Sequence, residues 1–432
     1  MRRIAGVLLF GCMFGINHAQ LHFTSLSELL QYADKTGLVS RQSKIQQAIS
    51  RKDEAINKST LLPKVNVFGT SEYDPLIPVL VVPASLVGGP AGKFEKVRLG
   101  LPWVFSGGVE LTLPILNFEK WEQLKRYRLQ SLQTDCNTRT NLETLHIQLT
   151  QAYYQTLLAR ELLALNKTDL EVVNELMRVM ENRKNNGVLD PPDYNRSKNL
   201  WLDIQSNEIE YGKNYRQSLI ELKQLLILPD TTNLRLDDSL PTVTSTWQST
   251  PEQISITGRP AWKEAEIKVA VAEEQFRESQ RSGLPVISLD GKFTHELQAQ
   301  PGQSINYDFS SIGLRLDFPL FQGGYYRNGL QKASLQLQLA KTSQEQTAAD
   351  LNRQQSEWWN SFEAAVNKCS IQQQKLDLET ENLRIARIDM KEGVMEFDQF
   401  NVIFREYNQA RMDYIQNIND GIVYQLLLTQ KW

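Results

Sequence analysis

The sequence predicts a mainly α-helical chain with a small β part, built by duplication. Three observations carry this. Ile312, Leu314, Leu316, Phe318 and Leu320 alternate with Gly313, Arg315, Asp317 and Pro319, the period of a strand with one apolar and one polar face. After Gly323 and Gly324 the spacing changes to Leu330, Ala333, Leu337 and Ala340, which is helical, and no Pro or Gly interrupts the chain from Leu330 to Glu392. The same succession stands 205 residues earlier, where Val109, Leu111, Leu113 and Ile115 alternate with Gly108, Glu110, Thr112 and Pro114. A run free of Pro and Gly then extends from Ile115 to Asn186.

Each copy opens with a helix and a first strand. Residues 24–60 carry Leu26, Leu29, Leu30, Ile45, Ala48 and Ala55 at helical spacing, and Leu62-Pro63 stops that helix. Val65, Val67, Gly69 and Ser71 then alternate with Lys64, Asn66, Phe68 and Thr70. The counterparts lie 222 residues on: Ile267, Ala270, Leu284-Pro285, Ile287, Leu289 and Gly291. Between its strands the first copy has a Pro-, Gly- and Val-rich loop, 75–106, and the second a shorter polar loop, 298–310. GGPAGK at 88–93 is one residue short of a phosphate-binding loop, and Phe94 stands where Ser or Thr would hold magnesium, so no nucleotide site is expected.

Pro114, Pro319, Gly323 and Gly324 mark the strand-to-helix junctions, and Asn117-Phe118 replaces Gln322-Gly323 in the first copy. The helical runs of 72 and 63 residues would each span roughly 95–110 Å, which no globular domain accommodates, so they must pack side by side. Tyr153-Tyr154 and Trp358-Trp359, again 205 apart, are expected to pack between helices. Each run ends at a glycine, Gly187 or Gly393, read as helix C-caps, and Asp193 and Asp398 stand near the start of the returning helices. The resulting organisation is a signal peptide at 1–19, repeat 1 at 20–228, a Pro-, Ser- and Thr-rich linker at 229–258, and repeat 2 at 259–432. The signal peptide rests on Arg2-Arg3, the apolar stretch Ile4–Ile16 and Ala19; a buried first helix, or lipid on Cys12, are the alternatives. Cys136 and Cys369 lie 22 and 50 residues past their junction prolines, so both are expected to remain thiols.

Several functions are excluded. A net charge of −3 and a pI near 6.0 argue against nucleic acid as a partner. Past the N-terminus no run of eighteen apolar residues exists, so any membrane span is a β-barrel. His18, His22, His146 and His295 are not spaced as a ligand pair and no Gly-flanked nucleophilic Ser is present, so no enzyme, metal or cofactor is expected. In lipid every backbone group must be paired, so four amphipathic strands have to join others in a closed barrel. Two copies would supply eight strands and a filled interior; three would supply twelve and an open lumen. A soluble periplasmic coiled-coil scaffold explains the helices but not the strands.

LRLDFPLFQGGYYRNGLQKA at 314–333, STLLPKVNVFG at 59–69 and GVMEFDQFNV at 393–402 resemble the TolC-like family of outer-membrane efflux proteins, and the likeness runs over both repeats. It implies a homotrimer with a twelve-stranded outer-membrane barrel continued by a long periplasmic helical barrel. It also implies partners: a periplasmic adaptor and an inner-membrane pump, with passive conduction to the exterior, or alternatively a conduit for type I protein secretion. On this reading Val109, Leu111, Leu113, Leu314, Leu316 and Phe318 face lipid, and Glu110, Arg315 and Asp317 face the lumen. The turns Gly187-Val188-Leu189 and Gly393-Val394-Met395 meet the adaptor. Asp398, with Glu396 beside it, lines the gate; the plainer alternative is that Asp398 only caps its helix.

Overall fold

The computed structural model describes residues 20–240 and 255–429. The signal-peptide region, Cys12 and part of the 229–258 linker lie outside the described residues. Chain order is β1 (Gln20–Phe23), α1 (Leu26–Thr36), α2 (Leu38–Ser59), β2 (Lys64–Tyr73), β3 (Val79–Pro83), β4 (Phe94–Arg98), β5 (Trp103–Leu116), α3 (Phe118–Asn185) and α4 (Pro191–Leu226). There follow β6 (Asn233–Leu236), α5 (Pro260–Arg281), β7 (Val286–Gln300), β8 (Gln303–Asp317), α6 (Tyr325–Glu392) and α7 (Phe397–Thr429). The chain is mainly helical, and α3 and α6 each run 68 residues unbroken. The described residues form two compact units, and both draw on both repeats: 20–45, 136–240, 255–263 and 346–429 in the first, 46–135 and 264–345 in the second.

In the second unit the four long strands make one antiparallel sheet in the order β2-β5-β7-β8. Directly paired residues share a face. Val65, Leu111, Gly291 and Ile312 form one cross-strand row, and Leu113, Leu289 and Leu314 the next. Asn66, Glu110, Lys292 and Ser311 form a row on the opposite face, as do Pro114, Ser288 and Arg315. The polar face is linked by side chains: Arg315 Nε lies 2.9 Å from Asp290 Oδ2, and Asn66 Nδ2 donates to Glu110 Oε1 at 3.1 Å.

Three sequence expectations need correction here. The second loop is not 298–310 but a two-residue turn, Pro301-Gly302, with Gly302 at φ +83, because the polar stretch on either side is a strand in register. Pro114 does not end its strand: β5 continues to Leu116 across a bulge that leaves Ile115 unpaired, the irregularity that a residue without an N–H imposes on a ladder. β8 stops at Asp317, so Phe318 and Pro319 lie past the strand and Phe318 does not belong to the sheet face. The junctions themselves differ. Asn117 Oδ1 accepts the Lys120 N–H at 2.9 Å and caps α3, whereas Gly323 and Gly324, at φ +56 and +83, turn the chain into α6.

The first unit holds two apolar cores. One gathers Phe23, Leu26, Leu29, Leu149, Tyr153, Leu157, Leu222, Leu234 and Leu236 around the parallel pair β1–β6, which sequence reading did not foresee. Tyr153 is fully buried, as its packing role requires, and donates its hydroxyl to Asp238 Oδ2 at 3.0 Å. Arg259 stacks 5.4 Å from the centroid of Trp358 and pairs with buried Glu143 at 2.7 Å. Cys369 is buried, and neither it nor Cys136 is in a disulfide.

Candidate functional site

The second apolar core of the first unit lies under the two helical hairpin turns. Val173, Met180, Leu200, Ile204, Leu383, Ala386, Met390, Phe397, Phe400 and Phe404 fill it, with Phe400 and Phe404 stacked at 6.0 Å. Both turns leave their helices through a left-handed glycine, Gly187 at φ +71 and Gly393 at φ +81. The N–H of Val188 reaches back to Arg183 O, and that of Val394 to Asp389 O, both at 2.9 Å. A side chain at Gly393 would also run into the Arg183 guanidinium.

The turn residues split by direction. Val188 and Val394 are each 76% exposed, whereas Leu189 and Met395 fold back onto the core. Within each Gly-Val-Leu or Gly-Val-Met triplet, then, only the first two residues present a surface.

Charged side chains tie repeat 1 to repeat 2 above this core. Arg196 Nη1 donates to Asp398 Oδ2 at 2.5 Å and lies 3.4 Å from Asp193 Oδ1. One guanidinium of α4 therefore holds the two aspartates that occupy equivalent places in the repeats. Glu175 of α3 accepts from Lys391 at 2.5 Å and Arg387 at 2.8 Å of α6, and these bonds hold its carboxyl below the usual range. Deeper, Arg411 of α7 pairs with Asp169 of α3 at 2.5 Å, both about nine-tenths buried. Burial pushes the Asp169 carboxyl up despite that partner.

The capping alternative for Asp398 is not what forms. Glu396 precedes the first helical residue, its carbonyl accepts the Phe400 N–H at 3.2 Å, and the Asp398 carboxylate turns to Arg196. Arg196, Glu175 and the Arg411–Asp169 pair are the residues sequence reading missed. The Asp193–Arg196 spacing is visible as an i,i+3 helix pair, but nothing local shows that Arg196 reaches a residue 202 positions away. Among the described residues no group of three or more His, Cys, Asp or Glu side chains could hold a metal ion, and no helix is long and apolar enough to cross a membrane.

A four-stranded amphipathic sheet with two open edges and two 68-residue helices are the elements that the resemblance to outer-membrane efflux proteins leads one to expect. The family described as outer membrane efflux protein matches residues 96–226 and 253–420, and the chain belongs to that family. It is 22% identical over 241 residues to the outer membrane protein TolC of Salmonella enteritidis, covering 53% of this chain and 48% of that protein. It is 20% identical over 327 residues to the alkaline protease secretion protein AprF of Pseudomonas aeruginosa, covering 71% and 66%. The match thus spans about half of the TolC relative's length. The crystal structure of CusC superimposes with a TM-score of 0.78 at 16% identity, over 93% of this chain and 90% of that one, a likeness of fold. Family membership marks the chain as an outer-membrane protein, as the strands and the resemblance led one to expect. Members of that family are channels and not enzymes, with which a non-catalytic role is consistent.

Proposed function

We propose that three copies of this chain close a twelve-stranded barrel and conduct substrates passively, from a periplasmic adaptor and an inner-membrane pump to the cell exterior. The observation that carries this is the pair of open edges, β2 and β8, on a sheet whose half nearer the helices has one apolar and one polar face. Unpaired backbone at those edges has no partner in lipid, and four strands cannot close on themselves. Three copies supply twelve, joined edge to edge. The face of Val109, Leu111, Leu113, Leu314 and Leu316 then meets lipid, and that of Glu110, Arg315 and Asp317 meets the lumen. A protein-secretion conduit is the second reading, supported by the likeness to AprF.

The hairpin turns supply the closure and the docking point. With three copies around an axis, Asp398 and Glu396 become rings of carboxylates, and Arg196 latches one hairpin to the other. Arg196→Ala and Asp398→Asn both break the latch but change the ring charge in opposite directions. In planar bilayers, Arg196→Ala is expected to raise cation preference and Asp398→Asn to lower it and weaken block by divalent cations. Unchanged selectivity in both would place the constriction elsewhere.

Adaptor contact rests on Gly187, Val188, Gly393 and Val394, the outward part of the turns. Replacing exposed Val188 and Val394 together by Asp is expected to change stability by no more than about 0.5 kcal/mol per site, because neither side chain is packed. Export in cells should nevertheless be lost while trimers remain in the membrane. Undiminished export would reject docking at these turns.

A further inference from the structure

The segment between β2 and β5, residues 74–102, is an insertion that the second repeat lacks; there Pro301-Gly302 makes the equivalent turn. It has its own structure. β3 and β4 pair antiparallel, Ala84 N–H donates to Lys93 O at 2.8 Å, and the base is closed by Asp74 N–H donating to Pro102 O at 2.7 Å. Leu76, Leu80, Val81, Leu86 and Phe94 are all more than half exposed, an apolar surface that water alone does not favour.

The side to which the segment leans is set by one residue. Gln298 of β7 sits an even number of residues from Asp290, Lys292 and Glu296, so it projects from the polar face of the sheet. Its Oε1 accepts the N–H of Leu101 at 3.2 Å, and a Cβ on Gly100 would touch both that oxygen and the Ile77 side chain. The returning limb of the insertion therefore meets the polar face, with Ile77 of the outgoing limb beside Gly100. Gln298 is itself held: its Nε2 donates to Glu296 Oε1 at 2.8 Å, and the Tyr307 hydroxyl donates to the same oxygen at 2.6 Å. Leu101 is buried there. On the same face and at the same end, β8 changes character: Ile305, Tyr307 and Phe309 stand on the side that carries Ser311, Arg315 and Asp317 nearer the helices.

We infer that residues 74–102 fold over the distal mouth of the lumen and act as a size filter on what leaves the channel. The inference rests on the assignment of the polar face to the lumen. All helices attach at one end of the sheet, so the insertion lies at the other, which is the exit. A segment drawn onto the inner face of a closed barrel projects into the opening, and threefold symmetry brings three of them together. Their exposed apolar side chains, and Ile305, Tyr307 and Phe309 below them, then find cover in one another, in a lumen otherwise lined by Glu110, Asp290, Lys292 and Arg315. Solutes wider than the remaining gap are held back or must push the ribbons aside.

The test uses the full chain in intact cells, with thiol labelling from outside. Ser311→Cys places a thiol on the polar face below the insertion, and Ile312→Cys places one on the apolar face; the unsubstituted chain is the blank. A small charged maleimide should label the first and not the second. A bulky polymer-linked maleimide should label Ser311→Cys slowly, and about tenfold or more faster once 74–102 is replaced by Asn-Gly, the two-residue turn that the Tyr73–Trp103 pair accepts. Gln298→Ala, which keeps the segment but removes its clamp, should give an intermediate rate. Equal labelling by the bulky reagent with and without the segment, while the small reagent still reads the faces as stated, overturns the filter and leaves the channel standing. Failure of the small reagent to label Ser311→Cys overturns the face assignment, and the filter with it.

Discussion

Arg411→Leu is expected to destabilise the chain by about 3–5 kcal/mol at neutral pH, the usual consequence of leaving one half of a buried ion pair without the other. Arg411 and Asp169 are each about nine-tenths buried, so Asp169 would keep its charge in a site that water does not reach. The pH dependence follows from Asp169. Burial raises its folded-state pKa above the unfolded value, so the unfavourable ionised form is relieved as pH falls through the folded pKa and felt as pH rises through it. The loss caused by Arg411→Leu should therefore shrink in mild acid, where the isolated carboxyl is protonated. Removing both partners with Asp169→Leu and Arg411→Leu should recover most of the stability, because two apolar side chains replace a pair that was costly to desolvate. Chemical unfolding followed by circular dichroism at neutral and mildly acidic pH checks all three statements. A single-variant loss independent of pH would show that Asp169 does not carry the effect.

The second large effect is at the sheet. Leu316→Arg should lower barrel stability by about 2–4 kcal/mol if Leu316 sits near the bilayer midplane, and less nearer the interface. Asp317→Asn, one residue on and on the opposite face, should change it little. Leu316 pairs with Ile287 and adjoins the Leu113–Leu289–Leu314 row, so on the proposed face assignment a guanidinium there would have only apolar neighbours and lipid. Arg315, by contrast, already has Asp290 at 2.9 Å. Refolding into vesicles at graded urea concentrations measures the difference. Equal tolerance at the two positions would reverse or dissolve the face assignment.

Much of the architecture is legible in the sequence. Alternation in 109–115 and 312–317, and the Gly pair before α6, are local properties that depend on the pleat and on φ, so they show in one stretch of chain. The glycines of the two hairpin turns were legible for the same reason. The duplication added what local pattern lacks, since a weak strand signal seen twice at one spacing is a strong one. Strand ends were read less well. The polar stretch 298–310 reads as a loop, yet ladder pairing carries β7 to Gln300 and starts β8 at Gln303.

The sequence alone determined the repeated succession of helix, two strands and long helix, the strand faces next to the helices, the approximate length of the long helices and the family. These follow from periodicity and from where Pro and Gly interrupt it. Only the tertiary structure decided which charged residues meet. Arg196 holds Asp193 and Asp398, Glu175 takes Arg387 and Lys391, and Gln298 draws the 74–102 insertion onto one face of the sheet. Such pairs join residues about 200 positions apart, and 242 in the case of Arg411 and Asp169, on helices and strands whose surfaces carry many other Arg, Lys, Asp and Glu side chains of the same kind. Charge has no period that marks its partner; the choice is made by which helix faces pack together, and that is a property of the folded chain.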